Sequence, residues 1–494
     1  MLQRILIANR GEIAVRIIRA CRELGIESVA VYSDVDARAP HVTFADRAVR
    51  IGPPPAAESY LSIDAVIEAA RQSGSEGVHP GYGFLSENDE FAARCAEAGL
   101  TFIGPPAQAI AGMGSKIAAR AMAQQAGVPV VPGETPVDQA DESIAAAARR
   151  VGLPVLLKPS EGGGGIGMKV VRRDDDLTGA IQQARRESLA AFGDGRLYVE
   201  RLVERPRHVE IQVFADAHGQ TIHLFERECS VQRRHQKVIE ETPSLALTPA
   251  LRGRMGDAAV AIARAAGYQN AGTVEFLLDL SSSQFYFLEM NTRLQVEHPI
   301  TEQVVGVDLV QAQLAVASGL PVPWRQTQLS QRGHAIEARI YAEDPSRHDL
   351  PQAGPLLLYR EPRMPGIRID SGVVEGGEVS VHYDPMLAKV IATGETREHA
   401  RRRLVAALRD FPILGIRTNV AFLISILEHP AFAAGEIDTG WLDRHGDTLR
   451  PPPDTTVPSD VDALVEAVRQ NAPGLLSRAS AAADPWTALR GTRV

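Results

Sequence analysis

The chain has 494 residues, a formal net charge of -9, 45% hydrophobic and 23% charged residues, and only three cysteines. This composition gives room for several domains around a large core and excludes a disordered chain except towards the C-terminus. The acidic balance speaks against a nucleic-acid partner, and no apolar run has the length of a membrane span. Cys21, Cys95 and Cys229 have no paired spacing and read as reduced thiols. The N-terminus lacks a secretory leader and runs straight into a strand pattern, so a cytoplasmic protein is expected.

Residues 3–8 read as a buried strand, and residues 11–24 place Ile13, Ile17, Ile18, Cys21 and Leu24 on one helical face. A strand over 28–32 and helices over 65–70 and 91–98 continue the alternation, which predicts an N-terminal doubly wound parallel sheet of the α/β class. Asn9-Arg10-Gly11 follows the first strand without a full Gly-x-Gly-x-x-Gly, so a dinucleotide site is not expected there. Residues 79–87, His-Pro-Gly-Tyr-Gly-Phe-Leu-Ser-Glu, form a turn-rich loop; a tight turn explains its glycines and a site wall explains Tyr82, and local sequence leaves both readings open. A helix starts at Lys116, a compact region surrounds a glycine run within 155–203, and mixed α+β structure continues to about 318. Pro321 and Pro323 mark a linker to a β-rich unit over 333–443, and the remaining residues read as a tail or an incomplete further domain.

Three segments carry chemistry. Lys158 precedes Gly162-Gly-Gly164-Gly165-Ile166-Gly167 between two apolar strands, an order that differs from a Walker loop. Such a loop is a flexible linker or a flap whose backbone N–H groups approach a polyphosphate. His208, Glu210 and Gln212 alternate and share a face, although a lone histidine is more often structural. The dense polar run from Glu226 through Gln232 and His235 to Lys237 neutralises an acidic substrate or simply covers a surface. Glu275 sits among apolar residues and needs a cationic partner.

The most informative run is Glu289-Met-Asn291-Thr-Arg293-Leu-Gln295-Val296-Glu297. If it stays extended, its polar residues share one wall: Glu289 and Asn291 offer hard oxygen ligands, Arg293 a forked donor for a planar oxyanion, and Glu297 a base. With Glu275 on a neighbouring strand, Glu289 and Asn291 form a candidate magnesium (or manganese) set suited to phosphoryl transfer. Zinc is not expected from oxygen donors of this kind.

Across about residues 1–443 the chain closely resembles the biotin carboxylases of the ATP-grasp superfamily. The resemblance rests on Ile7-Ala-Asn-Arg-Gly-Glu-Ile13, residues 79–88, Gln232 to Lys237, Met290 to Pro299 and Glu337-Ala-Arg339-Ile-Tyr-Ala-Glu-Asp-Pro345. Tyr383 to Lys389 and Gly415 to Asn419 look most like the biotin carboxylase portion of acyl-CoA carboxylase alpha chains. It implies an N-terminal domain over 1–113, a central ATP-grasp fold over 114–320 with a mobile glycine-rich lid at about 131–203, a C-terminal domain over 333–443 and a tail over 444–494. It also implies ATP- and bicarbonate-dependent carboxylation of biotin on a biotin carboxyl carrier protein, with a carboxyltransferase subunit as further partner.

By matching positions, the resemblance assigns Lys116, Lys158, Gly164, Gly165, Glu200, Arg201, Leu202, Val203, His208, Gln232, His235 and Lys237 to ATP. Glu275, Glu289 and Asn291 would hold the metal, Arg293, Gln295 and Val296 would place bicarbonate, and Glu297 would take its proton. Arg339 would stabilise the biotin oxyanion, with Lys237 adding charge and Tyr82 lining the substrate side. Arg19 and Glu23 match dimer contacts, implying a homodimer; a solvated helical ion pair is the alternative.

Pro159, Glu161 and Ile166 depart from the family pattern in the lid, and Ile166 and Glu161 together subtract positive charge near the phosphates, so weaker ATP use is expected. No methionine occurs after Met386, so the biotinylated carrier segment of long alpha chains has no counterpart, and a separate carrier is expected; Asp484-Pro-Trp486 is a weak match to the region before it. Two other readings share the phosphate and magnesium residues: an ATP-grasp ligase joining a carboxylate to an amine, and a noncatalytic ATP-binding scaffold. Arg339 and the 333–443 unit favour biotin over the first, and the complete catalytic set argues against the second.

Overall fold

The computed structural model describes residues 1–160, 166–234 and 236–452. Its first sheet is parallel throughout, in the order Arg47–Gly52, Glu27–Ser33, Arg4–Ile7, Gly77–His79, Thr101–Phe102. Ile5, Leu6 and Ile7 are wholly buried because both faces are covered: Ile5 and Ile7 meet Ile13 and Ile17 of the helix Gly11–Leu24, while Leu6 meets Val66 and Phe91 on the other side. The helix stops at Gly25, whose φ of 69° suits a residue without a Cβ. Strand order reverses between Arg4–Ile7 and Gly77–His79, so the segments after these strands, with Glu12 in the first turn of the helix and Tyr82 in a loop, flank the crevice where such sheets bind ligands.

The second sheet is antiparallel and has eight strands, in the order Gln284–Asn291, Asn270–Asp279, Arg207–Ala215, Thr221–Arg233, Gln236–Thr242, His334–Tyr341, Met386–Gly394, Ile367–Ser371. The expected β-rich unit over 333–443 is thus not a sheet of its own. His334–Tyr341 pairs with Gln236–Thr242, with Glu240 opposite Glu337, and extends the central sheet. The pairing removes an edge that would otherwise expose a row of unpaired backbone groups. Helices Arg397–Arg409 and Val420–Glu428 then cover this end through Leu404, Leu408, Phe422 and Ile426.

A separate four-stranded sheet, Gly133–Glu134, Leu197–Arg201, Val155–Pro159 and Lys169–Val171, forms the lid with helices Asp141–Val151 and Leu177–Phe192. Ile144, Leu157, Ile181 and Val199 give it a core of its own. The last helix runs from Trp441 to Leu449, and Arg450 Nη2 meets Asp349 Oδ2 at 2.7 Å, so packed structure continues past residue 443, where the tail was expected to begin. Residues 453–494, including Asp484-Pro-Trp486, lie outside the described residues. Among the described residues no helix is long and apolar enough to cross a membrane.

One buried clamp fastens the C-terminal helices to the sheet. Glu241 accepts from Arg397 Nε at 2.6 Å and Nη2 at 3.0 Å and meets His334 Nε2 at 2.8 Å. Burial alone would raise the Glu241 pKa, but the His334 hydrogen bond and the Arg397 charge outweigh it and hold the carboxyl at about 2. Because the folded pKa is depressed, the stabilisation is complete above the unfolded carboxylate range and disappears as pH falls through about 2. Glu241→Gln is expected to lose about 3 kcal/mol of unfolding free energy at neutral pH. Urea unfolding at a series of pH values should show the gap to the parent narrowing below roughly pH 4.5.

Candidate functional site

The strand Arg207–Ala215 is buried along its whole length. Val209, Ile211 and Val213 face a core that includes Met255, Ile262 and Phe276, and His208, Glu210 and Gln212 face the other way, as their alternation predicts. That polar face tolerates burial because cations meet it. Arg227, fully buried, donates to Glu210 at 2.6 Å, Gln212 and Thr301 at 2.8 and 2.9 Å, and Thr273 at 3.0 Å. Lys237 Nζ reaches three carboxylates at once: Glu210 at 2.5 Å, Glu275 at 2.8 Å and Glu297 at 2.7 Å. The cation that Glu275 requires is therefore Lys237, reinforced by His208 Nε2 at 3.3 Å.

Glu297 lies between two cations, Lys237 on one oxygen and Arg339 Nη2 at 3.1 Å on the other. Burial and the Glu210 charge push its pKa up, but Lys237, Arg339 and Arg227 prevail and hold it below the usual carboxylate range. Arg339 also donates to Glu240 at 2.6 Å. Glu240 itself is pushed up to about 7 by burial and by the Glu297 charge, against the pull of Arg339. Cys229 is buried with its sulfur 3.9 Å from Glu297, and burial beside Glu210 pushes its thiol well up, so it is no thiolate nucleophile.

The run from Glu289 to Glu297 does not stay extended. Its strand ends at Asn291, the chain turns, and Glu297 stands at the N-terminal boundary of the helix His298–Val305, with Pro299 in the first turn. Two contacts impose the turn: Glu87 accepts from Thr292 N at 3.1 Å and Arg293 Nε at 2.7 Å, and Leu294 is fully buried. The polar residues still converge. Arg293 donates to Gln295 Oε1 at 3.0 Å and to Asn291 Oδ1 at 3.2 Å, and Gln295 Nε2 is a buried donor without a hydrogen-bond partner. Such a donor beside a guanidinium is what a small planar anion requires.

Next to this constellation lies a cavity of about 360 Å³. Lys158, Pro159, Ile166 and Met168 of the lid wall one side, the Glu200-Arg201-Leu202-Val203 connector another, and Leu277 and Leu288 add an apolar floor. Lys116, His208, Gln232, Glu275 and Glu289 also line it, so the described part of the expected ATP set, Lys237 apart, surrounds one space. Lys237 touches it through Glu275. Gly164, Gly165, His235 and Glu161 lie outside the described residues. Lys158 is buried against Glu200 at 3.0 Å, and Arg120 reaches the other Glu200 oxygen at 2.7 Å. Burial pulls the His208 pKa down, but the Glu275 charge together with the hydrogen bonds to Glu210 and Glu275 pushes it up to about 9.

Glu275 and Glu289 stand opposite each other on the Asn270–Asp279 and Gln284–Asn291 hairpin, and Asn291 Nδ2 donates to Glu275 at 2.9 Å. Burial and the Glu275 charge push the Glu289 pKa up, with Lys116 at 3.7 Å in partial compensation. Two mutually repelling carboxylates with an adjacent amide fit a hard divalent cation. Tyr82 is not in the cavity lining; it occupies the crevice of the parallel sheet, where its hydroxyl donates to Glu12. Arg19 and Glu23 do not pair with each other: Arg19 approaches Asp370 at 4.0 Å and Glu23 accepts from Gln311 at 2.5 Å.

Sequence reasoning assigned no role to Arg120, Glu210, Arg227, Glu240, Glu87 or Lys389. Alternation did put Glu210 on the reactive face, and Glu87 and Lys389 lay inside segments already singled out. Arg227 lay inside the dense polar run over 226–237 without a role of its own, and nothing local marks Glu240, whose partners lie on other strands.

Family sequence models match almost the whole described chain: biotin carboxylase, N-terminal domain, at residues 1–110, the carbamoyl-phosphate synthase L chain ATP-binding domain at 115–324, and biotin carboxylase C-terminal domain at 337–444. A mitochondrial methylcrotonoyl-CoA carboxylase subunit alpha from Oryza sativa subsp. japonica is 51% identical over 90% of the chain. The chain spans 61% of that relative's length. A biotin carboxylase from Halalkalibacterium halodurans is 50% identical over 90% of the chain and 98% of its own. Among solved structures, the biotin carboxylase domain dimer of Hydrogenobacter thermophilus 2-oxoglutarate carboxylase, in complex with MgADP, ADP and bicarbonate, matches with a TM-score of 0.88 at 42% identity, covering 91% of this chain and 99% of that one. With this sequence likeness spanning all three matched segments and the fold shared throughout, the chain belongs to the biotin carboxylase family.

Proposed function

We propose that the protein carboxylates biotin borne on a biotin carboxyl carrier protein, using ATP and bicarbonate, as a component of an acyl-CoA carboxylase. The observation that carries this reading is Glu297, a buried carboxylate held between Lys237 and Arg339 beside the unpartnered amide of Gln295. A base kept ionised and flanked by anion donors suits bicarbonate, which must lose a proton to become a nucleophile. ATP occupies the cavity, its base against Leu277 and Leu288 and the Leu202-Val203 connector, its phosphates towards Lys116, Lys158 and His208. Glu275, Glu289 and Asn291 would hold magnesium or manganese, which when bound would supply charge neutralisation for the polyphosphate.

Arg293, Gln295 and the Val296 turn orient bicarbonate. Glu297 accepts its proton, a bicarbonate oxygen attacks the γ-phosphorus, and ADP leaves, giving carboxyphosphate. Carboxyphosphate releases carbon dioxide and phosphate, the phosphate removes the biotin N1 proton, and the nitrogen attacks carbon dioxide. Arg339 stabilises the ureido oxyanion formed in that step. Tyr82 borders the biotin side. The acyl acceptor is set by a carboxyltransferase subunit. A homodimer follows the dimeric solved relative. A carboxylate–amine ligase would have no use for Arg339 beside the base, and a scaffold none for an ionised Glu297.

The first test is phosphate release with magnesium, bicarbonate and free biotin. The parent is expected to show release that depends on both, and Arg339→Ala is expected to lose about a hundredfold of the biotin-stimulated rate while ADP affinity, followed by calorimetry, is retained. Nucleotide binding without bicarbonate-dependent turnover would favour the scaffold. In the lid, half-exposed Ile166 puts an apolar side chain where the cavity meets phosphate charge. Glu161→Gly combined with Ile166→Lys is expected to lower the ATP KM by about three- to tenfold, the effect of restoring positive charge near a polyphosphate. An unchanged ATP KM and turnover would clear the lid residues of any such effect.

A further inference from the structure

Lys389 is fully buried on the Met386–Gly394 strand, next to Arg339 in register but with partners of its own. Its ammonium donates to the Val296 carbonyl at 2.7 Å and meets Glu12 Oε1 at 3.1 Å, with the Tyr82 ring centroid 6.0 Å away. Glu12 belongs to the first turn of the helix Gly11–Leu24 and also accepts from the Tyr82 hydroxyl. Glu12 and Tyr82 flank the crevice of the parallel sheet, Val296 lies on the turn between Gln295 and Glu297, and Lys389 comes from the far end of the eight-stranded sheet. One buried ammonium therefore joins three parts of the molecule at the turn that carries the bicarbonate residues.

Approach at this point is close. A Cβ on Gly372 would lie 2.4 Å from the Glu12 nitrogen, so the strand end and the helix start meet backbone to backbone. A fully buried lysine is costly unless its donors are satisfied, and here one of them is spent on a backbone carbonyl beside the proposed base. The peptide linking Val296 to Glu297 is planar. Fixing the Val296 carbonyl therefore fixes the direction of the Glu297 N–H and the entry into the helix His298–Val305.

We propose that Lys389 is a positioning residue for bicarbonate: bridging Glu12 and the Val296 carbonyl, it sets the turn that presents Gln295 and Glu297. It touches neither the ATP cavity nor the metal candidates, so its removal should separate the two substrates kinetically. The inference rests on the function proposed above, and the experiment keeps the two apart.

Lys389→Met alone would leave Glu12 buried without its cation, so the principal variant is Lys389→Met with Glu12→Gln, which removes both charges. Steady-state kinetics of biotin-dependent phosphate release would be measured with bicarbonate and ATP varied in turn, alongside ADP affinity. The double variant is expected to fold, to keep its ATP KM and ADP affinity within about twofold, and to raise the bicarbonate KM by about tenfold or more, as for a hydrogen bond made through a charged group. An unchanged bicarbonate KM, or equal losses for both substrates, would overturn the positioning role. If the double variant does not fold, Glu12→Gln alone, which removes one end of the bridge and keeps the Lys389 bond to Val296, is expected to raise the bicarbonate KM by about threefold with the ATP KM unchanged, and no change, or an equal change for both substrates, would overturn the positioning role. A parent with no bicarbonate-dependent turnover would instead remove the proposed function and this inference with it.

Discussion

Lys237 holds Glu210, Glu275 and Glu297 around a single ammonium, and much of the central sheet is arranged to make that possible. Like charges at such short range repel strongly in a poorly solvated interior, and one lysine does not neutralise three carboxylates. The balance is met by Arg227 behind Glu210, His208 beside Glu275 and Arg339 beyond Glu297. Each comes from a different strand, so the arrangement exists only when the strands are in register. A one-residue slip would turn the polar face of Arg207–Ala215 into the apolar core and its valines towards the cations.

The same network explains why the C-terminal strands continue the central sheet instead of forming a separate layer. Arg339 must lie within hydrogen-bond reach of Glu240 and Glu297, and pairing His334–Tyr341 directly with Gln236–Thr242 brings it there. Burial would otherwise leave Glu240 and Glu297 as uncompensated charges. The fold and the site thus share one electrostatic requirement, and changes to the outer strands reach the reactive groups through backbone pairing.

Much of this was legible in the sequence where periodicity and chemistry coincide. The alternation at His208, Glu210 and Gln212 identified the reactive face, the isolated Glu275 announced a cation, and the 289–297 run named the anion residues. The extension of that run to Glu297 was misjudged because the turn after Asn291 is imposed by Glu87, some two hundred residues earlier in the chain. Arg227 was visible only as one cation in the polar run over 226–237, and Glu240 gave no local signal, since a charged residue in a strand reads as solvent-facing until the sheet that covers it is known. The β-rich unit over 333–443 was legible, but the joining of its first strand to the central sheet was not, because strand pairing across a linker leaves no trace in composition.

The four-stranded unit beside this constellation has its own hydrophobic core, in which Ile144, Leu157, Ile181 and Val199 pack together. It is fastened to the rest of the chain by polar contacts: Phe287 N bonds the Pro129 carbonyl at 2.7 Å, Lys116 N bonds the Ser160 carbonyl at 3.1 Å, Arg120 Nη1 donates to Glu200 at 2.7 Å and Arg201 Nη2 donates to the Tyr286 hydroxyl at 3.0 Å. Any movement of such a piece as a body would leave its interior packing intact, and its cost would fall on the contacts that fasten it. Internal cohesion and attachment are consequently separable properties, so evolution or design can stiffen the core of this unit without touching the polar contacts that fasten it.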